Sequence, residues 1–299
     1  MASIDNKTAP SHDYSAISPS AYALLMMKGH TNIPFAREAA TLLENAGKGQ
    51  DLFTSDFGLG SANYWLTVMH FESRYWSIDQ LLDDQPYTNI LELSSGFSFR
   101  GLALSRKQQV FYIDTDLEGV IAGKQRFVDA LGAGEALGHY ELQPLNVLDP
   151  AAFKNIIARF PPGPIAIVNE GLLVYLDQQE KELLCQNIRE ALLNRGGCWI
   201  TADVYLQKQA GDPSPVQSES SRQWHEQHKI EEKKFISFQE AQSFFQRMGF
   251  SLDKEARPNY DRLSALTRLR EAGGTSAIDY LRQPGRARQH ATWRLMAAF

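Results

Sequence analysis

Four turns in the first two thirds of the chain carry side chains that could bind a polar ligand: Glu92-Leu93-Ser94-Ser95-Gly96, Asp114-Thr115-Asp116, Asn146-Val147, and Asn169-Glu170-Gly171. Each closes a short apolar run or follows one directly. The residue types suggest a division of labour. Gly96 lacks a Cβ, so its backbone can take a positive φ and approach a ligand closely. An acid after a second strand, Asp114 or Asp116, can accept bonds from both ribose hydroxyls. Asn146 offers one acceptor and two donors, enough to read an adenine edge. Glu170 is placed to meet an ammonium group. Taken singly, each has a structural reading: nearly every strand-to-helix turn holds a glycine, and Asp or Glu after a strand commonly caps the next helix. Their recurrence at successive strand ends is what points to a nucleoside pocket.

These positions depend on the elements that carry them. Residues 1–88 read as a loose tail and a helical block. One helix starts at Ser18-Pro19 and is rich in helix formers to Met27, a second runs from Pro34 to Glu44, and a third is long and aromatic-rich from Ala62 to Leu82. From Asn89 short apolar runs alternate with helical segments. The spacing predicts strands over 90–93, 110–113, 139–145, 164–168, 198–202, 250–253 and 291–298. Asp177 with Glu180, and Ser237 with Glu240, read as capping boxes opening helices. This grammar predicts an α/β fold, a doubly wound, seven-stranded and mostly parallel sheet with helices on both faces. Ligands of such sheets bind outside the carboxyl ends of the strands. Residues 205–235 interrupt the rhythm and read as a lid-like insertion.

Composition narrows the function. The 299 residues, with 43% hydrophobic and 22% charged, suit one large domain with additions and exclude wholesale disorder. A net charge of −5 argues against nucleic acid as the main partner. The charge is uneven: residues 257–299 hold eight Arg, no Lys and three acids, a local +5, read as solvated surface. Cys185 and Cys198 make neither a disulfide framework nor a metal site. No run approaches the ~18 apolar residues of a membrane span, and the polar first thirteen residues do not read as a signal peptide. The expectation is a cytoplasmic protein without metal, membrane or nucleic-acid partner; its oligomeric state is not legible.

Between NAD and S-adenosylmethionine (SAM), the turn after the first strand leans toward SAM. A dinucleotide fingerprint wants three glycines for pyrophosphate at a bare helix N-terminus. Here the turn has one, with Phe97 and Phe99 crowding it.

The string NILELSSGFSFRGLALS over 89–105 resembles motif I of class I SAM-dependent methyltransferases. The variant is that of the leucine carboxyl methyltransferase family, in its bacterial polyketide-type O-methyltransferase branch. ISPSAYALLMMKGHTNIPFARE over 17–38, FESRYWSIDQLL over 71–82, NEGLLVYL over 169–176 and TWRLMA over 292–297 resemble further signatures of that branch, in the same order. The resemblance implies a Rossmann-like core over 89–299 behind a helical cap over 1–88. It implies that Arg74 clamps the methionyl carboxylate of SAM, Gly96 lies under the cofactor, Asp116 binds the ribose and Glu170 faces the methionyl ammonium. Asn146, with Val147 beside it, falls where an Asp usually faces the adenine amino group. Glu92, Ser94, Asp114 and Gly171 complete the expected cofactor set. Two departures stand out: Ser94 replaces a motif I glycine, and Glu118 replaces a proline after Asp116-Leu117.

The activity so implied is an O-methyltransferase acting by direct displacement on a carboxylate or hydroxyl of a small metabolite or peptide, with S-adenosylhomocysteine (SAH) as product. A carboxylate acceptor needs no base, whereas a hydroxyl does. His225 and His228, in the insertion, are the candidate bases, with solvated surface as their plainer reading. Tyr14, Tyr22 and Tyr175 are candidate acceptor-pocket residues. An NAD(P)-dependent oxidoreductase and a non-catalytic SAM-binding protein are the rival readings.

Overall fold

The computed structural model describes residues 18–46, 59–85, 87–132, 134–208, 219–257, 259–283 and 288–298. Tyr14 lies outside them. Seven strands form one sheet: β1 (Asn89–Leu93), β2 (Phe111–Asp116), β3 (His139–Pro144), β4 (Ile165–Asn169), β5 (Gly197–Tyr205), β6 (Phe250–Glu255) and β7 (His290–Ala297). Their order is β3-β2-β1-β4-β5-β7-β6, and β7 alone runs antiparallel to its neighbours. The expected doubly wound, mostly parallel sheet is therefore present. Its order reverses between β1 and β4, which puts the switch point beside Glu170. In the central strands β1 and β4 every residue is buried, as a parallel sheet covered on both faces requires.

The helices follow from local signals. Those of the core are α4 (Arg100–Lys107), α5 (Glu118–Leu131), α6 (Pro150–Ile157), α7 (Gln178–Arg195) and α9 (Phe238–Arg247). Asp149 caps α6 ahead of Pro150, accepting from the Ala151 and Ala152 amides. The Asp177–Glu180 box forms with both reciprocal bonds at the start of α7. The second predicted box forms by half. Ser237 accepts from the Glu240 amide, but the Glu240 carboxylate takes the Ile236 amide instead of that of Ser237.

The block before β1 contains α1 (Ser18–Lys28), α2 (Ala36–Asn45) and α3 (Ala62–Asp83). It is part of the core. Ile78, Leu81 and Leu82 of α3 pack against Ile90, Tyr112, Ala166, Val168 and Ile200 of the sheet. The other face of the sheet meets α6, α7 and α9 through Phe153, Leu184, Ile188, Phe244 and Phe245. α1 and α2 close over Phe97, Phe99 and Leu102 in and after the β1 turn.

Two elements depart from the sequence reading. The Arg-rich region folds into α10 (Ala265–Glu271) and α11 (Thr275–Arg282), whose Leu266, Leu269 and Ile278 pack on Trp65, Val68 and Met69 of α3. The buried Glu72 of α3 caps α10, taking the Ser264 and Ala265 amides at 2.8 and 2.9 Å. Strand β5 extends to Tyr205, three residues past the predicted end, across an irregularity between Thr201 and Val204. In the insertion, α8 (Glu219–Gln227) is a charged helix of about two and a half turns.

Candidate active site at the carboxyl ends of the strands

The turn after β1 carries left-handed backbone twice, at Ser94 and Gly96, each with φ of 50°. Gly96 takes it freely; Ser94 stands where the resemblance expects glycine and adopts the same conformation at a steric cost. The Asp116 carboxylate, at the end of β2, accepts from the Gly96 amide at 2.8 Å and the Leu117 amide at 2.7 Å. Asp116 thus ties the β1 and β2 turns together. Burial raises its carboxyl above the usual range, against the lowering effect of those two amides. From α1, Tyr22 lays its ring 4.6 Å from that of Phe97, roofing the β1 turn.

Glu170, directly after β4, is the centre of charge. Lys28 at the end of α1 donates to its Oε1 at 2.7 Å, and Arg74 of α3 to the same oxygen at 2.9 Å. Arg100 Nη2 lies 3.6 Å from Oε2. Burial alone would raise the Glu170 carboxyl, but Lys28, Arg74 and Arg100 together outweigh it and hold it well below the usual carboxylate range. Four buried atoms of this cluster have no hydrogen-bond partner: Glu170 Oε2, Arg74 Nε, and Nε and Nη2 of Arg100. One acceptor atom and three donor atoms are therefore buried without a hydrogen bond, a costly arrangement that a ligand would relieve.

The turn holding Glu170 is fixed from β5. The buried Asp203 carboxylate accepts from the amides of Gly171, Leu172 and Leu173 at 2.6, 2.7 and 3.1 Å, and from the Asn169 side chain at 2.6 Å. Gly171 sits there with φ of 78°. Trp199 in turn donates to Asn169 Oδ1 at 2.7 Å.

Two expected cofactor residues lie within the sheet instead of at its rim. Glu92, buried in β1, accepts from the Tyr112 hydroxyl at 2.5 Å and has Arg100 Nε at 3.7 Å. Asp114, fully buried in β2, pairs with Lys124 at 2.7 Å and accepts from the Tyr140 hydroxyl at 2.5 Å. Burial pushes the Asp114 carboxyl up to about 6, with Lys124 opposing. Asn146 is exposed beyond β3, its Oδ1 accepting from the Leu148 amide at 3.1 Å, while Val147 is buried.

The insertion returns over the β4 turn. Trp224 of α8 meets the ring of Tyr175 edge-on at 5.7 Å, and Lys233 donates to the Tyr175 carbonyl at 2.6 Å. His225 and His228 flank this contact. The His228 ring is turned back on its own helix, with Nδ1 2.8 Å from the Trp224 carbonyl.

The residues this cluster adds to the expected set are Lys28, His70, Arg100, Asp203 and Tyr205. Arg100 is wholly buried, bonded to Asp79 and to the Tyr75 carbonyl, with its guanidinium 3.9 Å above the Tyr75 ring. The sequence reading assigned it no role; the signal that could have found it is an Arg at an apolar helix start, which needs an acid partner once buried. Lys28, His70 and Tyr205 gave no such signal.

The chain has a Rossmann-like fold, a seven-stranded and mostly parallel sheet with flanking helices. This rests on its strand order and on the antiparallel β7 between β5 and β6. No protein-family model matches the chain, and no curated protein does. Solved structures that resemble it include a pericyclic reaction enzyme (12% identity over 74% of this chain and 46% of that one, TM-score 0.45). Another is magnesium protoporphyrin IX methyltransferase of Synechocystis PCC 6803 with SAH bound (9%, 78% and 86%, 0.45). A third is mitomycin 7-O-methyltransferase (11%, 93% and 67%, 0.48). The chain spans about half the length of the first of these.

Among the described residues no three His, Cys, Asp or Glu side chains are grouped to hold a metal ion. No helix among them is long and apolar enough to cross a membrane. A groove of ≈ 400 Å³ between Thr88, Val110, Phe111, His139 and Pro161 lies at the amino ends of the strands, away from the Glu170 cluster.

Proposed function

We propose that the protein binds SAM across the carboxyl ends of β1, β2 and β4 and promotes methyl transfer to an oxygen of a small-molecule acceptor. The observation that carries this reading is the set of buried, unsatisfied polar atoms around Glu170 at the switch point. Glu170 Oε2 offers a buried anionic acceptor, and Arg74 Nε, with Lys28 beside it, offers buried cationic donors. That is the complement of an amino-acid zwitterion, and two strands away, at the end of β2, Asp116 offers a carboxylate for a ribose. In this reading Arg74 and Lys28 hold the methionyl carboxylate, Glu170 the ammonium, Gly96 the chain between, Asp116 the ribose hydroxyls, and Asn146 with Val147 the adenine. Ser94 and Gly171 shape the two turns. Glu92 and Asp114 act from within the sheet, through Arg100 and Lys124. SAM when bound supplies an activated methyl group on a sulfonium; the protein supplies alignment and exclusion of water. The motif strings support kinship with the leucine carboxyl methyltransferase family, and in this reading Tyr22 and Tyr175 line the acceptor side.

Calorimetric titration with SAH tests the reading. Binding is expected in the unaltered protein and at least tenfold weaker, about 1.4 kcal/mol, in Glu170→Gln and in Asp116→Asn. Undetectable SAH binding, or unchanged affinity in both variants, refutes it. A melting temperature raised by NAD(P) and not by SAM would favour an oxidoreductase on the same fold.

A further inference from the structure

Beside Arg74 the site holds a second group of side chains that recognition of a zwitterion leaves without a task. His70, one turn before Arg74 on α3, has Nε2 2.7 Å from the hydroxyl of Tyr205 at the end of β5. Arg74 Nη1 donates to the same hydroxyl at 2.8 Å. His290, the first residue of β7, sets its ring 4.6 Å from that of Tyr205 and 5.3 Å from that of His70. Its Nε2 lies 2.7 Å from the Ala202 carbonyl. All three rings are half-buried.

Donor and acceptor rules locate the protons. A guanidinium only donates, so Arg74 occupies an acceptor position on the Tyr205 oxygen. With His70 in the tautomer that leaves Nε2 bare, the phenolic proton points at that nitrogen, and the oxygen keeps capacity for one more donor. His290 donates its Nε2 proton to Ala202. The charged and titratable groups facing His70 are Arg74 on its own helix, Glu170 after β4, Tyr205 on β5, His290 on β7, and Lys234 before α9. Burial, with His290, Arg74 and Lys234 adding to it and Glu170 opposing, holds His70 well below the usual histidine range. Burial likewise lowers His290 to about 4. Both rings are neutral at pH 7.

We propose that Tyr205, backed by His70, takes the proton from a hydroxyl-bearing methyl acceptor, an alcohol or phenol; this rests on the SAM reading above. The acceptor O–H bond breaks toward the Tyr205 oxygen while the Tyr205 proton passes to His70 Nε2. As the new O–CH₃ bond forms, the S–CH₃ bond breaks and its electron pair stays on sulfur. The proton on His70 later leaves to water. The sulfonium charge disappears as the imidazolium charge appears, so the total charge of the buried site is constant. This offsets the cost of charging a desolvated ring beside Arg74, a cost that would otherwise make His70 a poor base. A carboxylate acceptor is already ionised at neutral pH and would leave the pair idle. Tyr205 touches the acceptor in this scheme; His70 acts through it and positions its proton.

The test uses the full chain saturated with SAH, titrated with 2-naphthol and, separately, with 2-naphthoate by calorimetry, while ¹⁵N NMR follows the His70 ring. The expected result is naphthol binding that shifts the His70 Nε2 resonance, with naphthoate at least tenfold weaker. Naphthol affinity should fall about tenfold in Tyr205→Phe. If that variant does not fold, His70→Gln should show the same loss. Without ligand the His70 ring should stay neutral from pH 8 down to 6. Naphthoate binding as tight as naphthol, no naphthol binding at millimolar concentration, or naphthol binding that leaves the His70 resonance unmoved would each overturn the proposal while the SAM reading stood. Failure of SAH itself to bind would remove both.

Discussion

Ser94 is the residue at which sequence and backbone disagree most openly. Its φ of 50° is a conformation that costs a side-chain-bearing residue roughly 1–2 kcal/mol, and the turn holds it because Ser95 donates to the Thr115 carbonyl and Gly96 to Asp116. Ser94→Gly should relieve that cost, less the extra freedom glycine brings to the unfolded chain. We expect a gain of about 0.5–1 kcal/mol in urea unfolding; a loss would show that the serine hydroxyl earns its place. The same scale explains why Asp114 and Asp116, two residues apart on one strand, part company. Both point to one face, but Asp114 lies beneath α5, where Lys124 neutralises it, and Asp116 reaches the rim, where amides meet it.

At the scale of elements, β5 decides most about the site. Its last three residues include Asp203, which holds the Glu170 turn by four N–H groups, and Tyr205, which meets Arg74 and His70. Asp203→Ala would leave three backbone amides of one turn without their acceptor. It should cost about 2–4 kcal/mol in denaturant unfolding and weaken SAH binding, whereas Asp203→Asn, which keeps an acceptor oxygen, should lose less on both measures. Equal losses in the two variants would mean that the turn does not depend on this carboxylate's oxygens. The end of β5 was not legible because Ala202-Asp203-Val204-Tyr205 mixes polar and apolar residues across an irregular register, and periodicity is weakest there. The capping box at Asp177, by contrast, was legible because both its bonds are local.

Over the whole molecule, α3 joins cap, sheet and Arg-rich helices. One stripe of it (Ile78, Leu81, Leu82) covers the sheet, another (Trp65, Val68, Met69) receives α10 and α11, and its polar residues Glu72, Arg74 and Asp79 reach α10, Glu170 and Arg100. The cap therefore should not separate from the sheet. We expect a single cooperative unfolding transition, coincident by tryptophan fluorescence and circular dichroism, and no folded product from a chain starting at residue 89. Two resolved transitions would show the cap to be an independent unit. The Arg-rich stretch is likewise absorbed by the fold. Arg268 and Arg282 pair with Glu271 and Asp261 inside the stretch, and Arg288 and Arg294 pair with Glu255 and Asp253 of β6, so part of the local +5 is matched from outside it.

Sequence alone determined the number and order of the strands, the switch point, and the strand-end positions Gly96, Asp116 and Glu170, because hydrophobic period and local caps are properties of contiguous residues. Tertiary structure decided which side chains share a site. Lys28 meets Glu170 across 142 residues and His70 meets Tyr205 across 135, and no local pattern encodes such meetings. It also decided which acids reach the rim of the sheet and which are consumed inside it. That choice turns on a strand's depth beneath its covering helices, which only packing sets.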